Sequence, residues 1–257
     1  GALSRPLESP ADFDWSSVYG LWLSGKEHLR QRAYGPAREA LEACLKKDPH
    51  YVPALGDLAL LRYRAMDAQG AFDLARRALA IDTYDPLSNY AYGLAAARLG
   101  RTADARDGFE LAAQSVELRA AAWTELARLG LRGGDFERAA AAAERSLDFN
   151  FRNLEGHQLL ALARRLGGRA DEAAASVDAL LALDPLSTFG RFEKALTSGG
   201  DAPRAFVASL KGERPEEVLL ELAAWYHGLG RGEEAERVVE VAPRNAEVLY
   251  WIAFLKE

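Results

Sequence analysis

Small residues recur in this chain every 34 positions. Gly25, Ala59, Gly93, Ala127 and Ala161 form one series, and Ala37, Ala71, Ala105, Ala139 and Ala173 form a second at the same interval. A third series, Arg32, Met66, Gly100, Gly134 and Gly168, falls between the other two and holds glycine three times in five. Each interval spells two helical segments joined at a turn. A repeated helix pair cannot bury its apolar side alone and must stack on its neighbours, so the period points to a helical solenoid.

The units resemble tetratricopeptide repeats. The third reads PLSNYAYGLAAARLGRTADARDGFELAAQSVELR, with Tyr92-Gly93, Leu99-Gly100, Ala105, Phe109 and Ala112 in that family's tyrosine-glycine, turn, alanine, aromatic and alanine slots. The fourth adds Trp123 at the tryptophan slot and GGDFERA at the turn, while Lys47-Asp48-Pro49 and Leu183-Asp184-Pro185 match the closing motif. The resemblance implies an all-α, right-handed superhelical solenoid of antiparallel helix pairs. It also implies a non-catalytic scaffold that binds a peptide or protein segment in a concave groove.

Five regular units run from Val18 to Ser187, after a leader or capping segment at 1–17. Beyond Ser187 the register slips through a shortened unit of 28 residues, Thr188 to Pro215, and resumes at Glu216. A last stretch, Asn245 to Glu257, supplies only a first helix. The expectation for 188–257 is therefore an irregular unit, one further repeat and a terminal helix. Leu249, Trp251, Ile252 and Phe254 make that helix apolar on more than one face, which raises a homodimer contact or a contact with a missing domain.

Physics accounts for the glycines without a ligand. Paired helices pack about 8–10 Å apart, and the closest crossing admits little more than a methyl group. Gly25 and Gly93 fit such a crossing at a propensity cost of about 1 kcal/mol. Gly100, Gly134 and Gly168 suit a left-handed helix end. GLGRGEE, Gly228 to Glu234, follows a helix and lacks a Gly-Lys-Ser/Thr ending, so it reads as a turn rather than a phosphate loop.

Signs of chemistry are sparse. His28, His50, His157 and His227 share no helix at metal-binding spacing, no Gly-x-Ser-x-Gly elbow occurs, and Cys44 is the single cysteine. Neither a catalytic residue, a metal nor a cofactor is expected. Glu216-Glu217 and Glu233-Glu234 stand at helix starts, where negative charge complements the dipole. A formal net charge of −6 opposes a general nucleic-acid surface, and no apolar run is long enough to span a bilayer. With no secretion signal in the sequence as given, a cytoplasmic location is favoured.

What remains is a stripe on the first helix of each unit. In this family that stripe lines the groove. Its candidate binding residues are Tyr19, Trp22, Lys26, Arg30, Tyr63, Arg64, Tyr90, Leu94, Arg98, Arg128 and Arg132. Arg30, Arg64, Arg98 and Arg132 recur at one phase and suggest an acidic partner, with the aromatics receiving its apolar anchors. Arginine near a helix end also interacts favourably with the dipole without any partner. The lysine and asparagine clamp of chaperone-tail receptors is mostly absent, since Trp22, Lys26, Gly56 and Leu60 fill its slots. Ala78 to Gly100 also resembles the repeat region that follows a β-rich domain of unknown function in large bacterial proteins. That resemblance keeps open an accessory segment of a larger carbohydrate-active enzyme, and the aromatics of the groove keep open a small-molecule or glycan-binding groove.

Overall fold

The computed structural model describes residues 12–210, 212 and 214–256; most of the expected leader lies outside them. The described residues form fifteen helices and no strand, and the chain divides into two compact units between Leu118 and Arg119. The first unit holds α1 (Val18–Arg30), α2 (Tyr34–Lys47), α3 (Val52–Arg64), α4 (Ala68–Leu79), α5 (Pro86–Arg98) and α6 (Thr102–Ala112). The second holds α7 (Arg119–Gly133), α8 (Phe136–Phe149), α9 (Leu154–Leu166), α10 (Ala170–Leu183), α11 (Thr188–Ser198), α12 (Ala202–Ala208), α13 (Pro215–Gly228), α14 (Gly232–Val241) and α15 (Ala246–Leu255). Each unit is a solenoid of helix pairs.

One device closes the regular pairs. The first helix ends on a residue with positive φ: Arg32 at 59°, Met66 at 68°, Gly100 at 74°, Gly134 at 74°, Gly168 at 78° and Gly230 at 70°. The next residue then donates five positions back, as Ala33 does to the His28 carbonyl, Arg101 to Ala96 and Arg231 to Tyr226, each at 2.9–3.0 Å. These bonds satisfy carbonyls that the helix end would leave open. At the far end of the pair, Asp48, Asp82 and Asp184 each accept from the backbone N–H two residues on, which turns the chain into the next unit. Side chains also start helices: Asp67, Asp85 and Asp135 each accept an N–H of the first turn.

The core lies where paired helices cross, and volume is traded there. Small residues of the first series pack against the position 16 further on, Gly25 against Leu41, Ala59 against Ala75 and Gly93 against Phe109, and the same offset in the sequence matches Ala127 with Ala143 and Ala161 with Val177. The partners named are fully or almost fully buried. A Cβ on Gly25 would lie 2.8 Å from Leu41 side-chain carbons, and one on Gly93 would lie 2.7 Å from the Phe109 ring. Glycine thus stands opposite the two largest partners, and alanine opposite the smaller ones. Gly130 marks a closer approach, because its Cβ would meet the Ala139 backbone at 2.9 Å.

The two roles of small residues are separable by mutation. Nothing lies within 4 Å of a Cβ on Gly100, so Gly100→Ala should cost about 1–2 kcal/mol from backbone conformation alone. Met66→Gly should stabilise by about 1 kcal/mol, since an exposed side chain is exchanged for left-handed freedom. Urea denaturation showing no change for either removes backbone strain from the account of the turn.

Gly93→Ala should cost about 1–3 kcal/mol through overpacking, although alanine is the better helix former. With Phe109→Ala already in place, itself costing about 3–5 kcal/mol, the same change should become neutral or stabilising. Equal costs in the two backgrounds would contradict the volume trade.

Candidate functional site

The candidate stripe of the first unit comes from α1, α3 and α5. On α1, Tyr19, Trp22, Lys26 and Arg30 follow one another at intervals of three or four and share one face. Tyr19 and Trp22 pack with ring centroids 5.6 Å apart, and Trp22 meets Tyr51 at 6.0 Å. Trp22 Nε1 donates to Asp57 Oδ2 at 2.8 Å, and Lys26 Nζ approaches Oδ1 at 3.2 Å. Asp57 on α3 is only 4% exposed, and burial pushes its carboxyl above the ordinary aspartate value while Lys26 and Trp22 oppose the shift. The aromatic end of the stripe is therefore fixed by a buried acid. Its one clue in the sequence is an aspartate inside the apolar run PALGDLALL.

Each arginine of the ladder touches a different group. Arg30 donates through Nε and Nη2 to the Glu27 carboxylate at 2.8 and 2.6 Å. Those bonds, with one from Gln31, hold the Glu27 carboxyl down at about 2. Arg64 lies over the Tyr34 ring at 5.8 Å and donates from Nη1 to its hydroxyl at 3.2 Å. Arg98 lies 5.9 Å from the Tyr63 ring centroid. Tyr90 packs on Phe109 at 5.8 Å, and Tyr63, Tyr90 and Leu94 are half-buried. Two rungs, Arg30 and Arg64, share one cavity of about 370 Å³ with Arg32, Tyr34, Asp57 and Leu60. Arg32 and Tyr34 escape a stripe drawn on first helices, because one is the turn residue and the other opens α2.

In the second unit the corresponding face is more engaged in packing, though Arg132 stays exposed. Thr124, Leu131 and Leu162 are buried. Arg128 pairs with Glu155 and, at 3.8 Å, with Glu125, while Arg132 Nε donates to the Gly228 carbonyl at 2.9 Å. Arg165 of α9 donates to both oxygens of Glu193 on α11, at 2.6 and 3.1 Å, and approaches Glu234 on α14 at 3.5 Å. Tyr226 of α13 donates to Glu193 at 2.5 Å, and burial lifts its phenol well above the ordinary value. Glu193 is 1% exposed and Tyr226 fully buried, so this carboxylate, guanidinium and phenol act as a fastener.

Elsewhere, the described residues contain no group of three or more His, Cys, Asp or Glu placed to hold a metal ion, and no helix long and apolar enough to cross a membrane. Cys44 is buried, and its Sγ donates to the Val18 carbonyl at 3.3 Å. GLGRGEE forms the turn from α13 to α14 around Gly230. On α15, Leu249 is 56% and Tyr250 68% exposed, whereas Trp251 and Ile252 are half-buried.

Solved structures share this architecture. A tetratricopeptide repeat protein from Parabacteroides merdae is similar at 16% identity with a TM-score of 0.65, over 93% of this chain and 99% of that one. PilF of Pseudomonas aeruginosa gives 18% identity and a TM-score of 0.66 over 76% and 90% of the two chains. YrrB, described as a tetratricopeptide repeat protein with an unusual peptide-binding site, gives 12% and 0.58 over 70% and 92%. No protein-family model matches the chain, and no curated protein does. The fold is that of tetratricopeptide repeat structures.

The two sets of arginines should respond differently to mutation. Glu193→Ala leaves Arg165 short of its best partner inside the second unit and should cost about 3–5 kcal/mol. Arg64→Ala, on an exposed side chain, should cost less than about 1 kcal/mol. Comparable losses in denaturant midpoint would erase the distinction between fastener and open surface.

Proposed function

We propose that this chain is a non-catalytic interaction scaffold, and that the α1, α3 and α5 stripe of its first unit receives a partner segment bearing acidic residues and apolar anchors. The observation that carries this reading is the shared cavity. Arg30 and Arg64 line it together with Leu29 and Leu60, so charge and apolar surface meet in one place. Tyr63 and Arg98, which are in contact, and Tyr90 would extend the binding surface along α3 and α5, and aromatic and arginine side chains are the types that dominate interface hot spots. Sharing a fold with YrrB supports a peptide-binding role without locating the site.

Arg64 and Arg98 are held by contacts with tyrosine, which a carboxylate can replace with a bidentate bond, while Arg30 is in an exposed pair with Glu27 that a partner's acid can exchange for its own. An open surface and a flexible ligand place the expected affinity in the micromolar range. Arg128 and Arg132 belong to the second unit, where Glu155 and the Gly228 carbonyl engage them. They form no part of the proposed stripe.

The test uses fluorescence anisotropy with short peptides that combine leucine with glutamate, lysine or neutral polar residues. The glutamate set should bind best, and Arg64→Glu with Arg98→Glu should weaken it by about tenfold or more. Unchanged affinity with an intact helical spectrum would show that these arginines are ordinary helix-end charge.

A further inference from the structure

We propose that the cavity lined by Arg30, Arg32 and Arg64 binds a phosphoryl group carried on a partner peptide, as phosphoserine or phosphothreonine. This inference rests on the peptide-binding reading above and specifies one residue of the ligand.

Charge is the first argument. Around the cavity, four cations (Lys26, Arg30, Arg32 and Arg64) stand against two carboxylates (Glu27 and Asp57), an excess of two positive charges in a chain whose net charge is −6. Asp57 is already covered by Trp22 and Lys26, and Glu27 by Arg30 and Gln31. A phosphate monoester carries about 1.5–2 negative charges at neutral pH, whereas a glutamate carries one. The dianion matches the excess and the single carboxylate does not.

Donor supply is the second argument. The Arg32 guanidinium has no hydrogen bond or ion pair among the described residues, and Arg64 uses only Nη1, on Tyr34. Arginine forks present several N–H groups in the planar geometry that suits phosphate oxygens. Arg32 also holds a left-handed backbone, φ 59°, at the turn position where four other helix pairs have glycine. Its side chain is kept there against backbone preference, and it lines the cavity.

The third argument is what adjoins. Tyr34 and Leu61 also line a neighbouring cavity of about 340 Å³ whose walls include Leu58 and Ala65. An apolar residue close in sequence to the phosphorylated one would find its place there. The recognised element is thus a phosphoresidue with an apolar neighbour in an acidic segment.

The experiment uses the full chain, immobilised, and three peptide libraries with randomised flanks and a fixed central phosphoserine, glutamate or serine. Retention of the phosphoserine library should exceed that of the glutamate library by about tenfold, with leucine or another apolar residue enriched beside the fixed position. Arg32→Gly removes the guanidinium while favouring the backbone, so it should bring phosphoserine retention down to the glutamate level without lowering the melting temperature. Equal retention of the phosphoserine and glutamate libraries, both above serine, would leave the groove reading standing and overturn this one. Retention of none would overturn both. Inorganic phosphate binding without discrimination between the libraries would mark an adventitious ion only, and an Arg32→Gly protein that still prefers phosphoserine would equally refute the assignment.

Discussion

Every regular pair in this chain depends on one residue that reverses the backbone at the end of the first helix. The left-handed conformation lets the following N–H reach back five residues and seals the helix end, which fixes where the second helix starts. Once that distance is constant, the crossing point is constant too. Side chains opposite each other at the crossing must then fill a nearly fixed volume, and the pairs Gly93 with Phe109 and Ala59 with Ala75 are two ways of filling it. Turn and core are in this sense one constraint seen at two places.

The same constraint explains why arginine at one phase leads to different outcomes. Regular pairs place the last turn of each first helix on the same edge, so Arg30, Arg64 and Arg98 form a row in the first unit. Their contacts are with an exposed glutamate and with tyrosine rings, all replaceable. In the second unit the pattern shortens at α11 and α12, and α13 and α14 come against α7 and α9. There Arg132 meets a helix-end carbonyl, and Arg165, one residue before that phase in its own repeat, meets two acids. Geometry, more than residue type, decides which arginines are tied into the packing and which keep replaceable surface contacts.

Much of this was legible in the sequence. The period located the helix pairs, and the third series marked the turns even where Arg32 and Met66 stand in place of glycine. After Ser187, where the 34-residue register is lost, the chain forms α11 and the seven-residue α12. The site was less legible, for a physical reason. A stripe drawn on one helix shows which side chains share a face, but a cavity is closed by elements from different repeats. Arg32 belongs to a turn and Tyr34 to a second helix, so neither lies on the stripe. Buried acids were hidden in the same way. Asp57 stands out only as an aspartate in an apolar run and Glu193 not at all, because the partners that hold them, Trp22 with Lys26 and Arg165 with Tyr226, come from neighbouring repeats.

The fastener around Glu193 bears on how the second unit comes apart. In stacked repeats each pair normally contacts only its neighbours, and such arrays fray from their ends in steps. Arg165, Glu193, Tyr226 and Glu234 sit on α9, α11, α13 and α14, which belong to three successive pairs. Peeling away the last pair would strip Tyr226 and Glu234 from the network, contacts that an array linked only through neighbouring pairs would not lose together. The intermediate states that make solenoids melt gradually are thereby raised in energy. The irregular part of the chain, where the repeat pattern is weakest, is where unfolding becomes most nearly all-or-none.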